Sequence, residues 1–304
     1  MIRFGLCCIF HDEPVKFRRT TAKYLSGMAE SKRMEHLSRL CMHNAGSLME
    51  ALEYCRHNKI DDFRLNSQIL PLKTHPEFGY EIEELPDHSE IVKRFEACGD
   101  FIKKNDMRTT FHPDQFIVLS SPKEEVVQNS IRELCYQAEV AGWVQADVIN
   151  IHAGGAYNDK KNAIKRLKNN IRRLPGQVQK RLTLENDDRV YTPRELLPVC
   201  REINIPFVYD VHHHRCLPDG MDEEEVTELA VGTWNREPLF HVSSPIEGWQ
   251  GRNPRKHHDC IAISDFPKFW LNFDLTVEVE AKAKEKAVLK LKNELGRYVH
   301  NQTP

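Results

Sequence analysis

Imidazole and carboxylate side chains recur in this sequence at the ends of short apolar or β-branched runs. One such residue closes each of six successive runs: His112, His152, Glu185, Asp210, His241 and Glu280. A lone histidine or acid at such a point more often makes a hydrogen bond than binds a metal. Six such residues, each at the end of its own run, indicate a shared site. Burying carboxylates and imidazoles together is unfavourable unless a cation compensates their charges. Mixed nitrogen and oxygen ligands of this kind favour Mn²⁺, Zn²⁺ or Mg²⁺.

A run of three histidines follows Asp210 and offers a further ligand. In Asp210-Val211-His212-His213-His214, the acid and the histidine three residues later can approach one metal if the chain turns into a loop. Three consecutive histidines cannot all point inward. We therefore predict His213 as the ligand, with His212 and His214 as bystanders.

A second histidine-rich segment, Lys256-His257-His258-Asp259, lies in the irregular stretch 243–267. A polar loop exposed to solvent would also explain this composition. Because the segment lies between two ligand-bearing runs, His257 and Asp259 are additional candidate ligands.

The ligand-bearing runs belong to a longer alternation of strand-like and helical segments. Strands are predicted at 3–8, 62–66, 109–112, 148–152, 182–185, 207–210, 239–242 and 275–280, and helices at 34–58, 90–104, 124–143, 159–174, 192–204, 222–232 and 281–298. This pattern favours a (β/α)8 TIM-type barrel formed by a single domain, 1–304, in which all strands end at one rim, where barrel active sites lie. A doubly wound open sheet is the alternative, but the sequence lacks its Gly-rich phosphate loop.

The composition is that of an ordinary globular protein. Hydrophobic residues make up 40% and charged residues 29%, which excludes wholesale disorder. No apolar stretch approaches the ~20 residues that span a bilayer, and the apolar N-terminus is predicted to be a first strand, not a signal peptide. Nine scattered cysteines predict neither disulfides nor a zinc knuckle, so a cytoplasmic location is expected. The net charge of −2 gives no argument for nucleic-acid binding.

Ordered motifs along nearly the whole chain are jointly more specific than any one of them. They are Arg3-x-Gly5, Phe63-Arg64-Leu65-Asn66-Ser67, Leu70-Pro71, His112-Pro113-Asp114-Gln115-Phe116, Asn150-Ile151-His152-Ala153-Gly154-Gly155, Leu184-Glu185-Asn186-Asp187, Tyr209-Asp210-Val211-His212-His213, His241-Val242-Ser243-Ser244-Pro245, His257-His258-Asp259 and Glu280-Ala281-Lys282. In this order they resemble the UV damage endonuclease family, whose barrel is similar to that of endonuclease IV.

The resemblance implies a DNA repair endonuclease that cuts the backbone on the 5′ side of a UV photoproduct and leaves a 3′-hydroxyl. It also implies about three divalent ions per chain, with Mn²⁺ expected. The first ion would use the catalytic set Glu185, Asp210, His241 and Glu280, the second His112, His152 and the shared Glu185, and the third His213, His257 and the further candidate Asp259. The expected partner is double-stranded DNA carrying lesions, bound by a monomer that needs no other protein and no membrane.

Residues expected to contact DNA lie outside the ligand set. The family probes the lesion with a glutamine and an aromatic residue, and the resemblance assigns these roles to Gln115 and Phe116. Loop packing beside the barrel mouth is the alternative for Phe116. Four arginines in segments expected near the rim could contact phosphates: Arg18, Arg19, Arg252 and Arg255.

Three residues depart from the family pattern. Leu6 and Phe116 each stand where the family has a tyrosine near the lesion, and Leu239 stands where a lysine is expected near the metals. The first two bear on lesion specificity, and the third on metal occupancy or rate. All the ligand positions are nevertheless filled, which argues against an inactive enzyme.

Two other functions fit part of the pattern. A metal-dependent sugar isomerase or epimerase on a related barrel would explain the ligands, but predicts a closed pocket and no use for rim arginines. A non-catalytic damage-binding homologue would explain the departures at Leu6 and Leu239. Abasic sites are a second candidate lesion for the nuclease.

Overall fold

A computed structural model describes residues 1–300, so the last four residues of the predicted 1–304 unit lie outside it. Within the described range eight parallel strands close into a barrel in chain order, and the last pairs with the first. The strands are β1 (Ile2–Cys7), β2 (Asp62–Leu65), β3 (Arg108–Phe111), β4 (Val148–His152), β5 (Leu182–Glu185), β6 (Phe207–Asp210), β7 (Leu239–Val242) and β8 (Leu275–Val279). The predicted (β/α)8 TIM-type barrel is confirmed, and the open sheet is excluded.

Helices connect the strands and cover the outside of the barrel. They are α1 (Ala22–Ser26), α2 (Glu30–His57), α3 (His88–Lys104), α4 (Glu124–Trp143), α5 (Lys160–Arg172), α6 (Gly176–Gln179), α7 (Pro193–Ile203), α8 (Val211–Cys216), α9 (Glu223–Val231) and α10 (Glu285–His300), with 3-10 helices at Ile82–Glu84 and Lys268–Asn272. The sequence predicted the seven longest α-helices and missed the three shortest, which have too few residues to show a periodicity. Across residues 1–300, no helix has both the length and the apolar character needed to cross a membrane.

The turn after β6 shows how local chemistry positions a candidate ligand. Asp210 ends β6 and also caps α8, because its Oδ1 accepts a hydrogen bond from the His213 backbone N–H at 2.8 Å. An aspartate in this position satisfies one of the free N–H groups of the first helical turn. The cap folds the chain back at the barrel rim and holds the His213 side chain beside Asp210.

Side chains on each strand alternate between the barrel interior and the helical layer. The outward-facing residues join the helices in the main apolar core. A separate apolar cluster of Val148, Val208 and Leu239 is formed by three strands of the barrel. Leu239 precedes His241 by two residues on β7 and therefore lies on the same face of the strand. It lies one layer deeper in the barrel interior than His241. The position where the family pattern has a lysine is thus part of an apolar layer beneath the candidate ligands.

Leu6 lies on the opposite face of its strand from the candidate site. A Cβ added at the adjacent Gly5 would collide with Asp62 and Glu278 inside the barrel, so Leu6 points outward. Its side chain is fully buried in the main core. Leu6 is therefore part of the apolar core and not of the solvent-exposed surface.

A conservative truncation tests this placement. Leu6→Val is expected to lower the free energy of unfolding by about 1 kcal/mol, the usual cost of deleting one buried methylene. The incision activity that the family resemblance implies should stay at the wild-type value per folded molecule. Thermal unfolding combined with incision of a defined lesion checks both parts, and a changed lesion preference at unchanged stability would contradict it.

Candidate metal centre

Glu185 is the hub of a histidine cluster at the carboxyl end of the barrel. Its side chain is fully buried at the end of β5. One carboxylate oxygen, Oε2, lies 2.9 Å from His112 Nε2 and 3.9 Å from His152 Nε2. The other, Oε1, lies 3.2 Å from His241 Nδ1 and 3.3 Å from His213 Nδ1. Residues from five parts of the chain therefore converge at one carboxylate.

Asp210 and Glu280 extend this cluster on the side of His241. Asp210 Oδ2 lies 3.6 Å from His213 Nδ1 and 4.0 Å from His241 Nδ1, and Glu280 Oε1 lies 3.6 Å from His241 Nδ1. Three groups of residues have ligand atoms within 4.8 Å of one another: His112 with His152 and Glu185, His112 with His241 and Glu280, and Glu185 with Asp210 and His213. Every residue of the first two predicted ligand sets belongs to at least one group.

The third predicted set is brought together only in part. His213 lies with Glu185 and Asp210, as described above, and His257 Nδ1 lies 3.8 Å from Glu280 Oε2. Asp259 is exposed, and among residues 1–300 it belongs to none of the converging groups. Its backbone carbonyl instead accepts a hydrogen bond from the Ala283 N–H at 3.0 Å. The structure supports His213 and His257 as neighbours of the cluster more strongly than it supports Asp259.

The two histidines that flank His213 have different surroundings. His214 is bonded on both ring nitrogens, at 2.8 Å to the Tyr209 hydroxyl and at 3.1 Å to Asp219 Oδ1, which marks it as structural. His212 is fully buried, and its ring centroid lies 5.1 Å from those of Trp249 and His257.

The electrostatics of the cluster are those of a site that holds a cation. Although burial opposes the charged forms, the neighbouring carboxylates raise the pKa of His213 well above its usual value and that of His241 to about 10. Burial alone would raise the pKa of Glu185, but the surrounding histidines lower it well below its usual value. Burial lowers the pKa of His152. The carboxylates thus need positive charge nearby, and protonated imidazoles supply it when no metal does.

Unpartnered atoms show that the residues fit a divalent ion. Glu185 Oε1, Asp210 Oδ2 and His241 Nδ1 are buried, and none has a hydrogen-bond partner among the described residues. Such atoms are costly to bury unless something satisfies them. All three converge on the same space, and a mixed oxygen and nitrogen donor set suits Mn²⁺ or Zn²⁺.

Metal binding should therefore release protons. At neutral pH His241, with a pKa of about 10 in the metal-free protein, carries a proton that an ion must displace, and the same holds for His213. Apparent affinity is expected to rise with pH through the neutral range and to level off once the pH exceeds the pKa of His241. Calorimetric titration with Mn²⁺ in buffers of different ionisation enthalpy measures the protons released. An affinity that stays constant across the neutral range would contradict the expectation.

Sequence reasoning missed three interior residues that contact the cluster. Asn150 Nδ2 donates to Glu185 Oε2 at 2.5 Å. Arg64, on β2, is buried and donates through Nη1 to Glu280 Oε1 at 2.6 Å. Glu278 Oε2 lies 3.0 Å from His241 Nε2. The signal was present in the strand periodicity, because Asn150 and Glu278 each precede a predicted ligand by two residues and share its face.

The residues predicted to contact DNA are exposed and lie in the segments that follow β1, β3 and β7. Phe116 is 76% exposed four residues beyond His112, and Gln115 beside it is also exposed. Loop packing therefore does not account for the Phe116 ring. The four arginines Arg18, Arg19, Arg252 and Arg255 lie in loops outside the barrel strands and helices. Arg255 is partly engaged, since its Nε lies 2.9 Å from the Asp188 carbonyl oxygen and 3.2 Å from Asp188 Oδ2.

Comparison with known proteins identifies the family. The model of the UV-endonuclease UvdE family matches residues 2–303. This chain belongs to that family. A protein described as UV DNA damage endonuclease, from Bacillus velezensis, is 33% identical over 97% of this chain and 94% of its own length.

One solved structure agrees with this membership, and a second shares the fold. The crystal structure of SacUVDE superposes with a TM-score of 0.87 at 29% identity and covers 98% of this chain and 99% of that one. The structure of endonuclease IV from Thermus thermophilus has a TM-score of 0.61 at 13% identity, over 98% of this chain and 99% of that one. The second likeness, at so low an identity, is one of fold alone.

Proposed function

We propose that this member of the UvdE family is a metal-dependent DNA repair endonuclease that cuts the backbone 5′ to UV photoproducts. The observation that carries the proposal is the convergence of buried, unpartnered ligand atoms from Glu185, Asp210 and His241 at the barrel mouth. The family supports a DNA repair nuclease, and the ligand chemistry supports metal dependence. Mn²⁺, with about three ions per chain, is the expected loading for this multi-metal reaction.

The position of each residue in the cluster indicates the role that it would have. Glu185 has histidines against both carboxylate oxygens, which suits a ligand shared between two ions. His112 and His152 would complete one site, while Asp210, His241 and Glu280 would complete the other. Bound divalent cations would activate water for attack on the phosphodiester and stabilise the leaving 3′-oxygen. Arg64 would keep the Glu280 carboxylate oriented through its 2.6 Å hydrogen bond.

DNA recognition in this proposal belongs to the exposed rim. Phe116 offers a solvent-facing aromatic ring that can enter the stack where a photoproduct has already weakened it, with the Gln115 amide beside it. The rim arginines would contact phosphates. A sugar isomerase would have no use for an exposed ring and rim arginines at its mouth, so these features favour a macromolecular substrate. A monomer acting in the cytoplasm on lesion-bearing duplex DNA completes the proposal.

Incision of irradiated DNA tests the proposal directly. Supercoiled plasmid exposed to UV should be nicked in the presence of Mn²⁺, and plasmid whose photoproducts have been reversed by photolyase should stay supercoiled. An oligonucleotide with one defined photoproduct should be cut on its 5′ side, and one with an abasic site tests the wider lesion range. If the metal-loaded protein cuts neither lesion, the proposal is contradicted. Tight binding to the lesion without incision would favour a damage-binding homologue.

A further inference from the structure

The two ring nitrogens of His241 face different chemical environments. Nδ1 points toward Glu185 Oε1 at 3.2 Å and Glu280 Oε1 at 3.6 Å, inside the candidate ligand cluster. Nε2 lies 3.0 Å from Glu278 Oε2, on the other side of the ring. A histidine that binds a metal through one nitrogen normally donates the N–H of the other to a carboxylate or carbonyl, which fixes its tautomer and orientation. Glu278 stands where that acceptor is needed.

The Glu278 carboxylate is itself held on both oxygens. Thr110 Oγ1 donates to Oε1, and Arg64 Nε donates to Oε2 at 2.6 Å. The side chain is 1% exposed, so water does not compete for it. A carboxylate held in this way accepts a hydrogen bond from one fixed direction, and the adjacent guanidinium keeps it ionised.

Arg64 favours the tautomer of His241 that Glu278 disfavours. Its Nη2 lies 2.9 Å from His241 Nε2, and a guanidinium has no lone pair to offer. If His241 accepted from Arg64, its proton would sit on Nδ1 and block the nitrogen that faces the ligand cluster. If Nε2 carries the proton and donates to Glu278, the Nδ1 lone pair is free. The choice between these two tautomers decides whether His241 can act as a ligand.

We propose that Glu278 is a positioning residue that accepts the hydrogen bond of the His241 Nε2–H and so presents Nδ1 to the cation. The inference deepens the proposed function, since it rests on His241 being a metal ligand. It adds a residue that the ligand pattern did not include. Glu278 touches neither the ion nor DNA in this scheme and acts through His241.

Asp62 provides a matched control in the same part of the barrel. Like Glu278 it is a buried acid, and both lie against the Cα of Gly5, where a Cβ would collide with each of them. Neither oxygen of Asp62 has a hydrogen-bond partner among residues 1–300. Replacing it therefore removes a neighbouring buried carboxyl group without touching His241.

The test compares Glu278→Gln, Glu278→Ala and Asp62→Asn by competition of Zn²⁺ with a chromophoric chelator. Both Glu278 variants should weaken one class of bound Zn²⁺ about 10- to 100-fold, the usual effect of losing a carboxylate behind a ligating histidine. Asp62→Asn should leave all classes at wild-type affinity. Full affinity in the Glu278 variants, or equal weakening in Asp62→Asn, would overturn the proposal.

A measurement on the unaltered protein tests the inference even if the Glu278 variants fail to fold. In ¹⁵N-histidine spectra of the Zn²⁺-loaded enzyme, the His241 signal, assigned with His241→Asn, should show the proton on Nε2, and a proton on Nδ1 would refute the inference. Neither readout requires DNA. If incision fails while Zn²⁺ affinity depends on Glu278, only the proposed function fails; if incision succeeds without that dependence, only this inference does.

Discussion

Glu185→Gln is expected to reduce incision of a photoproduct substrate about a thousandfold or more, because several kcal/mol of metal-derived transition-state stabilisation depend on this carboxylate. Among residues 1–300, Glu185 alone has one oxygen that faces a histidine of the first predicted ion site and another that faces a histidine of the second, through His241 on Oε1 and His112 on Oε2. An amide keeps the shape of the side chain but supplies one neutral oxygen in place of two charged ones. Both ion sites should therefore weaken together.

Metal content distinguishes this explanation from a simple loss of structure. Glu185→Gln should retain fewer ions than the wild type after gel filtration, while its circular dichroism spectrum stays that of a folded barrel. Glu195→Gln, on the outside of the barrel at the start of α7, is a suitable control and should keep its metal content and activity. Wild-type incision by Glu185→Gln would mean that this carboxylate is not a ligand and would remove the centre of the proposed mechanism.

The ligand cluster was predictable because a parallel barrel brings the ends of all its strands to one rim. His112, Glu185 and Asp210 needed only the strand assignments and the type of the residue at each end. No knowledge of tertiary contacts was required, since the topology guarantees the juxtaposition. Strand periodicity extends the same reasoning one layer deeper into the barrel, where it places Asn150 and Glu278 on the face of the predicted ligands.

Arg64 shows where reasoning from the sequence ends. A buried arginine in a strand is indistinguishable in sequence from an exposed one, and its contacts with β8 depend on barrel closure between β2 and β8, which are not neighbours in the sheet. Asp259 is a different case. Its loop has no periodicity that indicates the direction of a side chain, so only the composition of the loop suggested a ligand, and the Asp259 side chain is exposed. In a strand or helix, the sequence predicts which side chains face the site. In an irregular loop, it gives only the types of the residues.

Phe116→Ala is expected to weaken binding to photoproduct-containing DNA by about 10- to 100-fold, because stacking between a base and an aromatic ring is worth roughly 1–3 kcal/mol. The ring is 76% exposed in the free protein, so its removal takes little from the apolar core and should leave the unfolding temperature unchanged. Binding to undamaged duplex should change less, since an intact stack resists insertion of the ring. The expected outcome is thus a loss of discrimination between damaged and undamaged DNA, measured as the ratio of the two Kd values.

Phe116→Tyr separates the ring from the hydroxyl that the family pattern has at this position. If stacking carries recognition, Phe116→Tyr should match the wild type on any lesion whose recognition needs only the ring, and both should exceed Phe116→Ala. If the tyrosine variant instead gains incision of a lesion that the wild type ignores, the hydroxyl is a specificity determinant, and the phenylalanine narrows the range of lesions cut. Equal discrimination by all three proteins would mean that Phe116 does not enter the DNA, and lesion sensing would then have to come from elsewhere on the rim.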